Sequence, residues 1–329
     1  MQDVHTTDGS DMPLSPPPDP KRRRLTTSNI DSGSTLDSSW RTGPMGYSPF
    51  WFRDGDIILE IETIRLRVHS NRLMCSSIFE DMLCLPQPAE AENLDGCPVV
   101  RLFDASKDWI VVFRWIYEHD RFMGQPVIFD SIAGALRIST KYDIPDLREW
   151  SINELNIRWP KDLLDMTTNS LIHAAEAIAL SRECDVPEIL PAAFYALSIQ
   201  RWHASSEGGR SHLVLSPDDL RRLISGRELL QDFLLKIVAN PLSLDSLTPQ
   251  LCLPCKPQLE RYWRERLGAQ LFGSGGSGWG CWLLRELDRM RAGGGGVVGV
   301  CQFCVQVHDG LVSARMMRLQ DSIPRMFLL

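Results

Sequence analysis

The chain has 329 residues, 43% of them apolar, and a formal net charge of −7. That length holds two domains and an appendage with ample material for a core, and that charge excludes nucleic-acid binding by the whole surface, leaving room only for a local basic segment. No apolar run approaches the roughly 18 residues of a membrane span and the N-terminus lacks the pattern of an export signal, so a nuclear or cytoplasmic protein is expected.

Residues 1–48 are rich in Asp, Ser, Thr, Pro and Gly and carry almost no apolar periodicity, which predicts a disordered leader. Within it, Pro16 to Pro20 precede Lys21, Arg22, Arg23 and Arg24. A basic tetrad held extended by prolines suits a nuclear import receptor, and the plain alternative is a solvated charge run.

From Phe50 the pattern tightens. Apolar side chains at Ile57, Leu59, Ile61, Ile64, Leu66 and Val68 alternate with mostly polar ones, the period of half-buried strands. With Glu62 and Thr63 as the turn, Ile61 faces Ile64, Leu59 faces Leu66, Ile57 faces Val68, and Glu60 sits across from Arg65 on the wet side. The turn lacks Asn-Gly chemistry. Helical spacing follows: Ser70 is placed to cap a short helix carrying Leu73 and Met74, and Ser76 or Ser77 a second carrying Ile78, Phe79, Met82 and Leu83.

Gln87 to Pro98 reads as a loop and Val99 to Phe103 as a further strand. Asp104 or Ser106 is the expected cap of a helix whose Trp109, Val112, Phe113 and Ile116 form one buried stripe, core rather than cofactor box. After a connection from Arg121 to Pro126, a second helix turns Phe129, Ile132, Ala133, Leu136 and Tyr142 inward, and Pro145 opens a third with Leu147, Trp150, Ile152 and Leu155. Beyond Trp159 the pattern stays helical to about Asn240. Ile172, Ala175, Ile178 and Ala179 share a face, a helix starts at Val186 and Pro187, and another starts at Ser216 and Pro217 before Leu220 and Leu223.

Asp56 and His69 pair a carboxylate with an imidazole, which invites an acid-base reading. At strand ends, with no nucleophile or second base beside them, they read instead as determinants of the fold, and no catalytic or cofactor-binding residue is assigned.

The cysteine spacing carries the one specific chemical signal. Nine cysteines in a chain with no export pattern are reduced thiols or metal ligands before they are disulfides. Cys252 and Cys255 form one CxxC turn and Cys301 and Cys304 another; two such turns supply the four thiolates of a closed zinc site. The 45 residues between them exceed the 15 to 20 of the compact zinc pattern, but the glycine-rich runs 273–278 and 293–296 allow closure at modest loop entropy. His308 is a substitute ligand by position. Structural zinc, ordinary reduced thiols and redox chemistry stand as alternatives, the last weakened because neither pair sits in a βαβ pattern. Cys75, Cys84, Cys97, Cys184 and Cys281 read as packing residues, and the tail from about Gly268 as poorly ordered in part.

Asp54 to Ile57 opening the first strand, Arg67 to His69 closing the second, and Leu73, Phe79 and Met82 in the helices resemble the start of a BTB/POZ domain. The wider run Trp51 to Asp56, with Leu85 to Pro88 and Asp95 to Val100, is similar to the BTB proteins of basidiomycete fungi, as are Leu136 to Leu147, Ala179 to Cys184, Ile189 to Ala193, Leu220 to Glu228 and the two cysteine pairs with Ile323, Pro324 and Phe327. The resemblance implies an α+β BTB/POZ fold, a small sheet flanked by helices, at 49–158. A helical extension at 159–250 and a partly flexible CxxC-containing region at 251–329 would follow it. It further implies a non-enzymatic protein–protein interaction module that self-associates as a homodimer through the BTB domain or serves as an adaptor, including a ubiquitin-ligase substrate adaptor docked on a cullin. The apolar-x-Glu motif of cullin binders is not apparent between Phe103 and Trp109, where the chain reads Asp104 to Asp108. The alternative reading is a nuclear zinc-dependent transcriptional regulator. It requires a nucleic-acid face, for which the region offers Arg261, Arg264, Arg266, Arg285, Arg289 and Arg291 without a motif to present them.

Overall fold

The computed structural model describes residues 47–85, 92–200, 214–244, 250–272, 282–292, 297 and 299–329. Lys21 to Arg24 and nearly all of the expected leader lie outside them, as do the loop at 203–211, Cys281 and the glycine runs. Residues 43–329 form one compact unit.

A mixed α+β architecture is built on a five-stranded sheet. Its strands are β1 (Tyr47–Trp51), β2 (Ile57–Ile61), β3 (Ile64–Val68), β4 (Asn93–Leu94) and β5 (Cys97–Leu102), in the spatial order β1-β3-β2-β5-β4. The β2–β3 hairpin has the register that the alternation dictates: Ile57 opposite Val68, Leu59 opposite Leu66, Glu60 opposite Arg65, Ile61 opposite Ile64. Glu60 and Arg65 form an ion pair at 2.8 Å on the wet face. A one-residue slip would bury that pair and expose the leucines, so only this register satisfies both faces. Glu62 takes φ 51° to close the turn, a left-handed conformation that a non-glycine residue adopts only under tertiary support. Ser106, whose N–H and hydroxyl both donate to the Glu62 carboxylate, supplies that support.

Two strands went unforeseen. β1 begins inside the stretch read as leader and runs parallel to β3, and β4 is a two-residue edge inside the stretch read as loop. β5 lies parallel to β2, reached through two short helices, α1 (Ser70–Leu73) and α2 (Ser77–Cys84). Ser76 caps α2 by accepting from the Phe79 N–H at 3.1 Å. For α1 the cap differs from expectation: Ser70 is its first residue, and its N–H and hydroxyl donate to Asp56.

Helices α3 (Ser106–Tyr117), α4 (His119–Met123), α5 (Phe129–Tyr142) and α6 (Pro145–Arg158) follow. Neither Asp104 nor Ser106 caps α3; its N-cap is Ala105, with no side-chain bond. α3 and α5 approach so closely that a Cβ on Gly134 would stand 2.7 Å from Asp108 Oδ1, which is why α5 carries a glycine there. The sheet-side core gathers Phe50, Leu59, Leu66, Phe79, Trp109, Phe113 and Leu147. Trp109 stacks on Phe113 and meets Phe79 edge-on.

The helical part comprises α7 (Ala174–Cys184), α8 (Leu190–Ser198), α9 (Pro217–Ala239), α10 (Cys255–Phe272), α11 (Leu283–Ala292) and α12 (Gln302–Met326), with 3₁₀ turns at Thr168–Ser170 and Pro187–Ile189. α8 is the axis of a second core, buried along nearly its whole length. Ile172 does not share the buried face of α7; it precedes the helix and is exposed. Buried Asp219, near the start of α9, pairs with Arg182 of α7 at 3.0 Å and with Arg222 at 3.1 Å. The tail is more regular than its composition implies: α12 runs for 25 residues through Gly310 and Pro324. Among the described residues no helix is long and apolar enough to cross a membrane.

Candidate metal centre

Each CxxC turn leads into a helix. Cys252 opens a turn in which its own carbonyl accepts from the N–H groups of Cys255 and Lys256 at the start of α10, and Cys301 is the N-cap of α12. Four sulfur ligands from two helix starts therefore converge, although 45 residues separate the pairs in sequence. All four Sγ atoms lie within 4.8 Å of one another, and Cys252 Sγ and Cys301 Sγ are 3.7 Å apart. A zinc ion with Zn–S bonds of about 2.3 Å at the centre of a tetrahedron sets its sulfurs about 3.8 Å apart, so the donor set fits that ion with little movement.

The two turns clasp each other. The Cys252 N–H donates to Cys304 Sγ and the Cys301 N–H to Cys255 Sγ, both at 3.4 Å. These bonds, and the positive ends of α10 and α12, favour charged sulfur. The effect is largest at Cys301, whose thiol is pulled down to about 7 by the backbone N–H and then the thiol of Cys304. The other three thiols stand above their usual range. At Cys255 the Cys301 N–H pulls the other way, but burial and the hydrogen bonds with Cys301 and Cys304 outweigh it. Without a cation, then, the cluster shares one readily formed thiolate. A divalent ion supplies the charge that deprotonates the rest. Cys255 and Cys304 are buried and Cys252 and Cys301 exposed, so an ion here faces solvent on one side.

His308, one turn beyond Cys304, does not join the cluster. It is fully buried, its Nδ1 lies 3.1 Å from Asp309, and its ring meets Tyr262 and Trp263 edge-on. Of the remaining cysteines, Cys97 and Cys184 are buried, but Cys75 and Cys84 are exposed and do not pack in the core.

Asp56 and His69 make separate contacts. The Asp56 carboxylate accepts from the N–H and hydroxyl of Ser70, both at 2.6 Å; burial alone would raise its pKa, and these bonds bring it below the ordinary value. The His69 N–H donates to the Tyr117 hydroxyl at 3.0 Å, its Nδ1 stands 3.0 Å from the same oxygen, and its Nε2 is 3.4 Å from Asp54. Both residues tie the strand ends to α1 and α3. Most of the arginines considered for a nucleic-acid face have local partners: Arg264 with Glu260, Arg266 and Arg289 with Glu286, Arg291 with Asp288, and Arg285 over the Trp282 ring at 3.8 Å.

No protein-family model matches the chain, and no curated protein matches it either.

Proposed function

We propose that the chain is a non-enzymatic protein-interaction module in which a BTB/POZ-type unit at 49–158 self-associates or binds a protein partner, and in which a structural zinc ion on Cys252, Cys255, Cys301 and Cys304 fixes the C-terminal helices. The observation that carries the reading is the course of the chain around β2. An antiparallel hairpin, two short helices and a return strand parallel to β2 come in the order that the motifs from Asp54 to Met82 imply for that fold. A ubiquitin-ligase adaptor role through a cullin is the narrower form of this reading. The acids at the β5–α3 join do not favour it, since Asp104 is engaged by Lys141 and Tyr142 and Asp108, in the first turn of α3, is buried. Phe103, 93% exposed just after β5, is the most exposed aromatic of the unit and is the residue at which this reading would first seek a partner contact.

Zinc in this site acts by holding two helix starts together; its stabilisation is folding free energy, because no preformed site exists in the unfolded chain. The nuclear regulator is the second reading, favoured by the four-cysteine cluster alone, while the local pairing of the arginines around it speaks against a nucleic-acid face.

Two measurements test the proposal. Light scattering on the full-length protein at micromolar concentration should give about twice the chain mass of 37.3 kDa; a monomer sinks self-association. Elemental analysis of protein purified without chelator should find zinc in equimolar amount, and the Cys301→Ser variant should lose it. Metal-free intact protein removes the zinc centre while leaving the interaction reading standing.

A further inference from the structure

The four sulfurs of the cysteine cluster are of two kinds. Cys255 and Cys304 are buried, and each accepts a backbone N–H from the opposite turn, Cys255 from Cys301 and Cys304 from Cys252. Cys252 and Cys301 are exposed, and their Sγ atoms stand 3.7 Å apart. The two solvent-facing sulfurs therefore belong to different turns, 49 residues apart in sequence, while the CxxC partner of each is turned inward.

This division decides what an oxidant meets first. The nucleophilic form of cysteine is the thiolate, and access controls which thiolate reacts. A ligand sulfur carries no proton, so in the occupied site the exposed pair offers two thiolates to solvent and the buried pair offers none. A disulfide sets its sulfurs about 2.05 Å apart, so a shift of less than about 2 Å, shared by two side chains, closes a bond between Cys252 and Cys301.

We propose that Cys252 and Cys301 are a peroxide-responsive pair, which closes to a disulfide between the two turns and strips the metal centre of half its ligands. The inference rests on the zinc centre proposed above and adds its regulation. One exposed thiolate attacks an oxygen of hydrogen peroxide: a sulfur–oxygen bond forms, the O–O bond breaks, and hydroxide leaves. The second thiolate attacks that sulfur, forming the S–S bond and expelling a second hydroxide. The two sulfurs give up two electrons and one peroxide takes them. Cys255 and Cys304 are then too few to hold zinc in a closed site. The starts of α10 and α12 stay joined, because a covalent bond between the same two turns replaces the ion. Peroxide thus exchanges one cross-link for another, and a thiol reductant reverses the exchange.

The test treats full-length, zinc-loaded protein with hydrogen peroxide in the presence of a chromogenic zinc indicator, then alkylates the free thiols and maps the products by mass spectrometry. Zinc should be released in equimolar amount, Cys252 and Cys301 should be found joined, Cys255 and Cys304 should be alkylated, and dithiothreitol should restore zinc uptake. The urea midpoint of the oxidised, zinc-free protein should lie above that of the reduced, zinc-free protein. Zinc retained under excess peroxide overturns the proposal. So do disulfides formed within each CxxC turn, oxidation of the exposed pair to sulfinic acid, or equal midpoints for the two zinc-free forms. Protein that takes up no zinc brings down the metal centre and the release of metal with it. The disulfide map of that metal-free protein still decides the pairing, and the absence of a Cys252–Cys301 bond there overturns the pair itself.

Discussion

Asp104 occupies the join between β5 and α3, where three donors from two helices, α3 and α5, meet one carboxylate. Lys141 Nζ donates at 2.5 Å, the Tyr142 hydroxyl at 2.6 Å and the Trp109 indole N–H at 3.2 Å. Burial would raise the pKa of this acid, but the bonds from Lys141, Tyr142 and Trp109 outweigh it and hold the group below its ordinary value. The sign of the pH effect follows. A folded pKa below the unfolded one, about 3.9, means the contribution is complete above that value and is lost as pH falls through the folded pKa. Asp104→Asn should therefore cost about 1–3 kcal/mol at pH 7, and urea midpoints of wild type and variant should converge as pH drops toward 2. A gap that persists at the lowest pH would show that packing, not charge, makes the difference. In sequence Asp104 reads as a helix cap, because that is its nearest use. Its true partners Lys141 and Tyr142 are 37 and 38 residues away, and local pattern carries no trace of them. The four zinc-ligand candidates were legible for the opposite reason: the CxxC spacing is local, and only the meeting of the two turns needed the fold.

At the scale of elements, the hairpin was readable to the residue because two faces constrain one register. α12 was not, because Gly310 and Pro324 interrupt its pattern. Pro324 is tolerated because it stands in the last turn, where a single backbone bond is forfeited, and the chain end closes on itself with the Leu329 N–H bonded to the Pro324 carbonyl at 2.9 Å. That end is seated against α9. Phe327 is fully buried, its ring stacks on Phe194 at 5.3 Å, and it lies where a Cβ on Gly226 would be. Two effects compete in Gly226→Ala. Helix propensity favours alanine by about 1 kcal/mol, and overpacking against a confined ring opposes it by about 1–3 kcal/mol. The ring cannot swing away without leaving Phe194, so the second should win and the variant should be less stable. In a Phe327→Ala background the clash is gone, and the same Gly226→Ala change should become stabilising. Denaturant midpoints of the four proteins of this cycle decide it; a destabilisation that survives loss of the ring would place the role of Gly226 elsewhere.

Across the whole molecule, two hydrophobic clusters share α5 and α6. Ala135, Ile138, Tyr142 and Leu147 belong to the sheet-side core, while Phe129, Ile132, Leu136 and Leu155 belong to the helical one, and Trp150 packs against both. The expected join between a BTB unit and a helical extension, near residue 158, thus falls beside helices whose second face is already committed. Periodicity read Phe129, Ile132, Ala133, Leu136 and Tyr142 of α5 as one inward set and passed over Ala135 and Ile138; it could not say that Tyr142 faces a different core from the other four, since a buried stripe looks the same whichever neighbour covers it. A fragment ending at 158 would uncover Ile132, Leu136 and Leu155, each worth roughly 1.5–3 kcal/mol of burial, together with the ring of Phe129. We expect residues 47–158 expressed alone to bind a hydrophobic dye and associate non-specifically, with an unfolding midpoint well below that of the full chain. Charged substitutions at Ile132 and Leu136 should restore solubility to the fragment, and the same substitutions should disrupt the full-length protein, where both residues are buried in the helical core and α7 packs against α5. A monodisperse, dye-silent fragment unfolding at the full-length midpoint would show that the sheet-side core stands alone. The helical part would then be an attachment to it and not half of its support.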